Sequence, residues 1–156
     1  MAQREFSESI RYGEFGEHAI WNLLNKMKRT RSVIDVRLDK GFQDKDVDFL
    51  VEDIDRQFTF IEVKTDYKAQ DTGNLVYEIS TSGNIGCFEK TQATYIIYYL
   101  PKTQTAYFLN VSKLRNYVKT VNPKRVPMGD KSEGYLLPIN DLLNTKVIVD
   151  TFDNVK

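Results

Sequence analysis

A chain of 156 residues with 41% hydrophobic and 28% charged side chains is long enough to bury a core without a disulfide or structural metal. Its 22 basic and 22 acidic residues cancel to a formal net charge of 0, which argues against a generally polycationic nucleic-acid binder but leaves local patches open. One Cys (Cys87) and one His (His18) exclude four-ligand Cys/His zinc centres, and nothing brings the two together as a nucleophile pair, so any chemistry falls to carboxylates, lysine and a hard metal.

In chain order, Ile20, Leu23, Leu24 and Met27 recur at helical spacing and predict a helix over 14–28, with Gly13 and Gly16 near its start permitting close approach of other backbone. Ile34, Val36 and Leu38 alternate with Asp35 and Arg37 as a short strand. Val47–Val51 and Phe58–Lys64 flank the polar turn 52–57 and predict an antiparallel hairpin. Leu75–Ser80 reads as a third strand, and the apolar runs 93–100 and 105–111 as a further hairpin about Pro101. Ser112 is placed to cap a helix running to about Val118. Residues 122–134 read as a loop, and the end, 135–149, as short strand-like pieces around Asp141-Leu142-Leu143. The expected architecture is one α/β domain over 1–156, with a central mixed sheet flanked by helices, a motif-bearing core at about 13–111 and a helix, loop and short strands at 112–156.

Charged groups inside an apolar strand are the informative feature. In Phe60-Ile61-Glu62-Val63-Lys64, alternation sends Glu62 and Lys64 to one face and Ile61 and Val63 to the other. The hairpin brings Asp48 alongside, so Asp48 and Glu62 are expected to converge at one edge of the sheet. Two carboxylates and a backbone carbonyl make an oxygen-rich pocket of the kind Mg²⁺ or Mn²⁺ prefers, and a lysine beside it suits metal-assisted phosphodiester hydrolysis. On the first helix, Glu17 lies nearer the apolar face than Glu14, so Glu17 is expected to reach over the sheet edge while Glu14 faces solvent.

Gly13-(x3)-Glu17 on a helix, Asp48 on a strand and Glu62-Val63-Lys64 on the next strand resemble the PD-(D/E)XK nuclease superfamily, most nearly its small Holliday-junction-resolvase-like and phage-encoded members. The resemblance spans about residues 13–100 and includes the segments 72–79 and 90–95. Val47 stands where the motif's name has proline. The resemblance implies a restriction-endonuclease-like core in the order helix, three strands, helix, strand. It implies Asp48, Glu62 and the Val63 carbonyl as ligands of Mg²⁺, with Mn²⁺ as substitute. It further implies Lys64 at the scissile phosphate and the water, Glu17 acting from the helix, DNA as the substrate, and a homodimer that resolves branched DNA. Asp44, Asp46 and Asp48 share strand parity, so Asp46 is an alternative ligand; Phe49-Leu50-Val51 marks Asp48 as the one inside the strand.

Glu78 and Lys90 are further candidates, as a neighbouring carboxylate and a phosphate contact respectively. His18 points about 100° away from Glu17 on the helix and reads as a surface residue. Cys87 reads as a small buried filler, and Tyr95, Tyr98, Tyr99 and Tyr107 as sheet core and rim. Six basic residues lie in 26–40 and six in 113–131, against Asp35, Asp39 and Asp130, with an acidic stretch over 44–66 between them. Two basic flanks around an acidic centre suit a DNA backbone held over a metal site. The lone Cys fits the reducing cytoplasm of a bacterial or phage-infected cell, and no apolar run has the length of a membrane span. A nuclease-fold binding module without catalysis is the competing reading.

Overall fold

The computed structural model describes residues 2–129 and 131–156, with side chains from Arg11 onward; Asp130, counted with the second basic segment, lies outside them. A long helix α1 (Ala2–Lys26) leads into β1 (Thr30–Asp35), the one-turn helix α2 (Lys40–Gln43), and the hairpin of β2 (Phe49–Asp53) and β3 (Phe58–Thr65). The chain then runs through α3 (Ala69–Thr72), β4 (Asn74–Thr81), β5 (Asn84–Ile85) and α4 (Cys87–Lys90), and returns as β6 (Tyr95–Leu100) and β7 (Thr105–Asn110). It continues as α5 (Val111–Val121), β8 (Val126–Pro127), β9 (Ser132–Pro138), α6 (Ile139–Asn144) and β10 (Ile148–Phe152).

Six strands form a mixed sheet in the order β1-β2-β3-β6-β7-β10, with β3 and β6 parallel and every other neighbouring pair antiparallel. Strand alternation sorts its two faces. Phe49, Ile61, Val63, Ile97, Tyr99 and Phe108 lie under Ala19, Ile20 and Leu24 of α1. Ile96, Tyr98, Leu100 and Leu109 lie on the other face, against Leu75, Tyr77 and Leu137 and residues of α5 and α6. Burying each Ile or Leu of these layers stabilises the fold by about 1.5–3 kcal/mol. The α1 helix reaches β3 because residue 16 is glycine: a Cβ there would lie 1.7 Å from Thr65 Oγ1. Gly13 has nothing within 4 Å of such a Cβ, so only one of the two glycines serves a close approach.

The expected mixed sheet, its flanking helices and the β2–β3 hairpin are present. Four expectations are corrected. Leu75–Ser80 is a strand, but it pairs with β9 in a second, four-stranded antiparallel sheet of order β5-β4-β9-β8 and not with the main sheet. The segment 122–134 holds β8 and the start of β9. The run Asp141-Leu142-Leu143 is helical: Leu142 is buried and Leu143 exposed within α6, a turn too short to show a helical period. Asn110, not Ser112, caps α5, its side chain accepting from Lys113 N at 3.0 Å. Among the described residues no helix is long and apolar enough to cross a membrane.

Candidate functional site

Asp48 immediately precedes β2, and its backbone bonds to β3 and to the residue that follows β1. Its N–H donates to Ile61 O at 2.8 Å and its carbonyl accepts from Val36 N at 3.0 Å. Phe49, paired with Ile61, is the first residue of the β2–β3 ladder, and Asp48 lies just outside it. The ladder then stops: the Asp48 side chain takes over, its Oδ2 accepting from Val63 N at 2.8 Å. An extended residue directs its N–H and C=O to the same side, so the Val63 carbonyl opens toward Asp48. Glu62 is 6% exposed, its carboxyl lies within hydrogen-bonding reach of Asp48, and its Oε1 is 3.2 Å from Lys64 Nζ. Asp48, Glu62, Val63 and Lys64 thus meet as the spacing predicts. They meet at an end of the sheet and not at its lateral edge, because β1 pairs outside β2.

The carboxyls are held where their charge is costly. Burial pushes Asp48 up to about 6 against the pull of the Val63 N–H, and pushes Glu62 up to about 8 despite Lys64. Burial opposes the charge on Lys64, yet Glu62 beside it at 3.2 Å helps hold the ammonium above its ordinary range. Burial also pushes the Cys87 thiol up to about 12, so it is neutral at physiological pH. A divalent cation would stabilise both carboxylates in their ionised form. Among the described residues no group of three or more His, Cys, Asp or Glu side chains is placed to hold a metal. The donor set is two carboxylates and one carbonyl, without thiolate or imidazole. That set fits Mg²⁺, which keeps several waters and takes one or two carboxylates plus substrate phosphate.

Glu17 is half-buried and Glu14 exposed, as expected from the helix face. Glu17 and Asp48 line one cavity of about 520 Å³, and the Glu17 charge helps raise Asp48. The Glu17 carboxylate is, however, ion-paired with Arg37, whose guanidinium also forks Asp35. Arg37 reads in the sequence only as one charge in a basic stretch, and no spacing rule connects it to Glu17 through the sheet. Asp44 ends α2, while Asp46 has a left-handed backbone (φ 46°) and pairs with Lys90 at 3.3 Å. Neither belongs to a strand, and Asp48 itself immediately precedes β2 and is not inside it as expected, so the shared parity of 44, 46 and 48 does not apply. Glu78 is half-buried and lines a cavity of about 240 Å³ with Lys64, Asp66 and Cys87. Cys87 is only half-buried and lines the same cavity as Lys64, so it borders the charged site and does not simply fill the core. His18 is exposed beside Asn22, while Tyr98 and Tyr99 are buried.

The fold splits the first basic segment: Arg37 lines the cavity with Glu17 and Asp48, and its earlier members lie elsewhere. Strand β1 spans the sheet, so Lys26, Lys28 and Arg29 fall at the end opposite Asp35 and Asp48, and Arg29 pairs with Asp55 in the β2–β3 turn. Arg115 donates to the carbonyls of Phe88, Glu89 and Thr91, and Arg125 pairs with Glu133 at 3.4 Å.

No known protein family and no curated protein matches the chain in sequence. Among solved structures, the chain is similar to a bacterial homing endonuclease, I-Ssp6803I, at 18% identity and a TM-score of 0.48 over 65% of this chain and 68% of that one. It is also similar to D212, a nuclease from a fusselovirus, at 14% identity and a TM-score of 0.39 over 90% of this chain and 85% of that one.

Proposed function

We propose that the protein hydrolyses DNA phosphodiester bonds with a divalent cation, Mg²⁺ or in its place Mn²⁺, held by Asp48, Glu62 and the Val63 carbonyl. One observation carries the reading: a carboxyl just before β2, a carboxyl on β3 and a lysine ammonium 3.2 Å from the latter converge at a strand end, with Asp48 fixed on the Val63 N–H. Bound there, the cation supplies Lewis-acid polarisation of the phosphate and a lowered pKa for water. Lys64 stays protonated, orients the attacking water and offers a positive charge to the phosphate as negative charge builds on it. Glu62 holds that ammonium by their ion pair. Asp48 keeps one carboxylate geometry because one of its oxygens is tied to the backbone. Glu17 approaches the same cavity from α1.

The finer parts of the proposal are an endonucleolytic cut, preference for branched DNA of the Holliday-junction kind, and a homodimer. They draw on the PD-(D/E)XK resemblance and on the small size of the chain, which leaves little for reading bases; two symmetric cuts call for two sites. The test is incubation with branched, duplex and single-stranded DNA in Mg²⁺, Mn²⁺ or EDTA. Cleavage dependent on the metal and lost in Asp48→Ala and Lys64→Ala is expected. Binding without cleavage in any metal replaces this reading with that of a non-catalytic DNA-binding module. Light scattering on the DNA-free and DNA-bound protein reads the dimer.

A further inference from the structure

We infer that Arg37 is a phosphate-binding residue that also acts as a latch: in the DNA-free protein it engages Glu17, and an incoming phosphodiester takes its place and releases Glu17 to the carboxylate pair. The inference rests on the nuclease reading above and adds to it a coupling between DNA and cation.

The guanidinium is anchored on one side and exchangeable on the other. Arg37 Nε and Nη2 fork the Asp35 carboxylate at 2.9 and 2.6 Å, and its backbone N–H donates to Asp35 Oδ1 at 3.1 Å. Gln43 Nε2 donates to its carbonyl at 2.7 Å, and the guanidinium carbon lies 5.5 Å from the centroid of the Phe49 ring. These contacts come from the β1 turn, the end of α2 and β2, and they fix the residue without α1. The remaining nitrogen, Nη1, is the one paired with Glu17. The Arg37 and Glu17 side chains are 35% and 24% exposed, in the cavity they share with Asp48.

An ion pair this accessible is worth little as structure. A phosphodiester is the other anion that matches a guanidinium fork, and Asp35 would keep the fork in position while a phosphate oxygen replaces Glu17 at Nη1. Glu17 already acts electrostatically on Asp48, so once free it adds a third carboxylate to a site that has two. Full negative charge is then assembled only when a phosphate is present. By linkage, DNA tightens cation binding and the cation tightens DNA binding by the same factor.

The experiment measures Mn²⁺ affinity by calorimetry, without DNA and with a phosphorothioate duplex that resists cutting, and DNA affinity in EDTA. In the DNA-free protein Arg37→Gln is expected to bind Mn²⁺ about 3- to 10-fold more tightly than wild type, and DNA about 5-fold more weakly, with the duplex no longer strengthening Mn²⁺ binding. A purely structural Arg37 would weaken both affinities. Glu17→Gln is the second variant: it is expected to bind DNA in EDTA more tightly, a gain absent when Arg37→Gln is also present. If wild type binds Mn²⁺ and cuts DNA while both variants leave the affinities unchanged, or Arg37→Gln weakens Mn²⁺ binding, the latch is refuted and the nuclease reading survives. A wild type that binds no Mn²⁺ with or without DNA refutes the nuclease reading itself.

Discussion

Replacing Glu62 by glutamine is expected to stabilise the cation-free protein near neutral pH. In the unfolded chain this carboxyl has its ordinary value of 4.5, and in the fold burial pushes it up to about 8. Between those values the folded chain retains a proton that the unfolded chain has released, so stability is full below 4.5 and declines as pH rises through 8. At 1.36 kcal/mol per pKa unit, the group lowers stability at pH 7 by up to about 3 kcal/mol. Glutamine has the shape of the protonated acid and still faces Lys64, so the variant is expected to gain about 1–3 kcal/mol, or about 3–10 °C in Tm for a chain of this size. Burial of Asp48, raised to about 6, acts in the same direction at lower pH. Urea and thermal unfolding by circular dichroism in EDTA at pH 5, 6, 7 and 8 reads the effect. Wild-type stability that stays flat across the window, or a Glu62→Gln protein less stable than wild type at pH 7, would refute the reasoning.

Gly16→Ala should lower stability by about 1–3 kcal/mol, since the new Cβ meets Thr65 Oγ1 at 1.7 Å; Thr65→Ala in the same chain should restore part of it, as read by urea midpoints. Arg115→Met removes donors to three backbone carbonyls at 2.8–3.1 Å and should cost about 2 kcal/mol, with faster amide exchange confined to residues 87–94. Thr91 is buried, with Oγ1 donating to Asp46 O at 2.6 Å and accepting from Ala93 N at 3.0 Å. Thr91→Val should therefore cost about 1–3 kcal/mol in thermal unfolding and lower cleavage by releasing the turn that carries Asp46.

What the sequence made legible was local. Alternation in Phe60-Ile61-Glu62-Val63-Lys64 assigned each residue its face, and the polar turn at 52–57 was enough to bring Asp48 beside Glu62, because a hairpin fixes register over a few residues. Helices of four to six residues were not legible: α2, α4 and α6 are too short to show a period, and α6 read as strand for that reason. The second sheet was hidden because β4 takes its partner from Ser132–Pro138, and nothing in Val76-Tyr77-Glu78-Ile79 names a partner that distant. Arg37 was hidden in the same way: its relation to Glu17 exists only after α1 has crossed the sheet. The first basic stretch was only partly informative, because a strand such as β1 carries its two ends to opposite sides of the molecule and leaves Arg37 alone of these at the site.

The crossover from β3 to β6 gives the molecule an order of assembly. Strand β4 leaves the main sheet in that crossover and finds its partner only when β9 arrives from the C-terminal third. Loop-closure entropy makes that long-range pairing late relative to the β2–β3 hairpin. Asp48, Glu62 and Lys64 therefore depend on contacts close in sequence, whereas the neighbouring layer that lines the Lys64 cavity through Val76 and Glu78 is completed by a pairing across the C-terminal third.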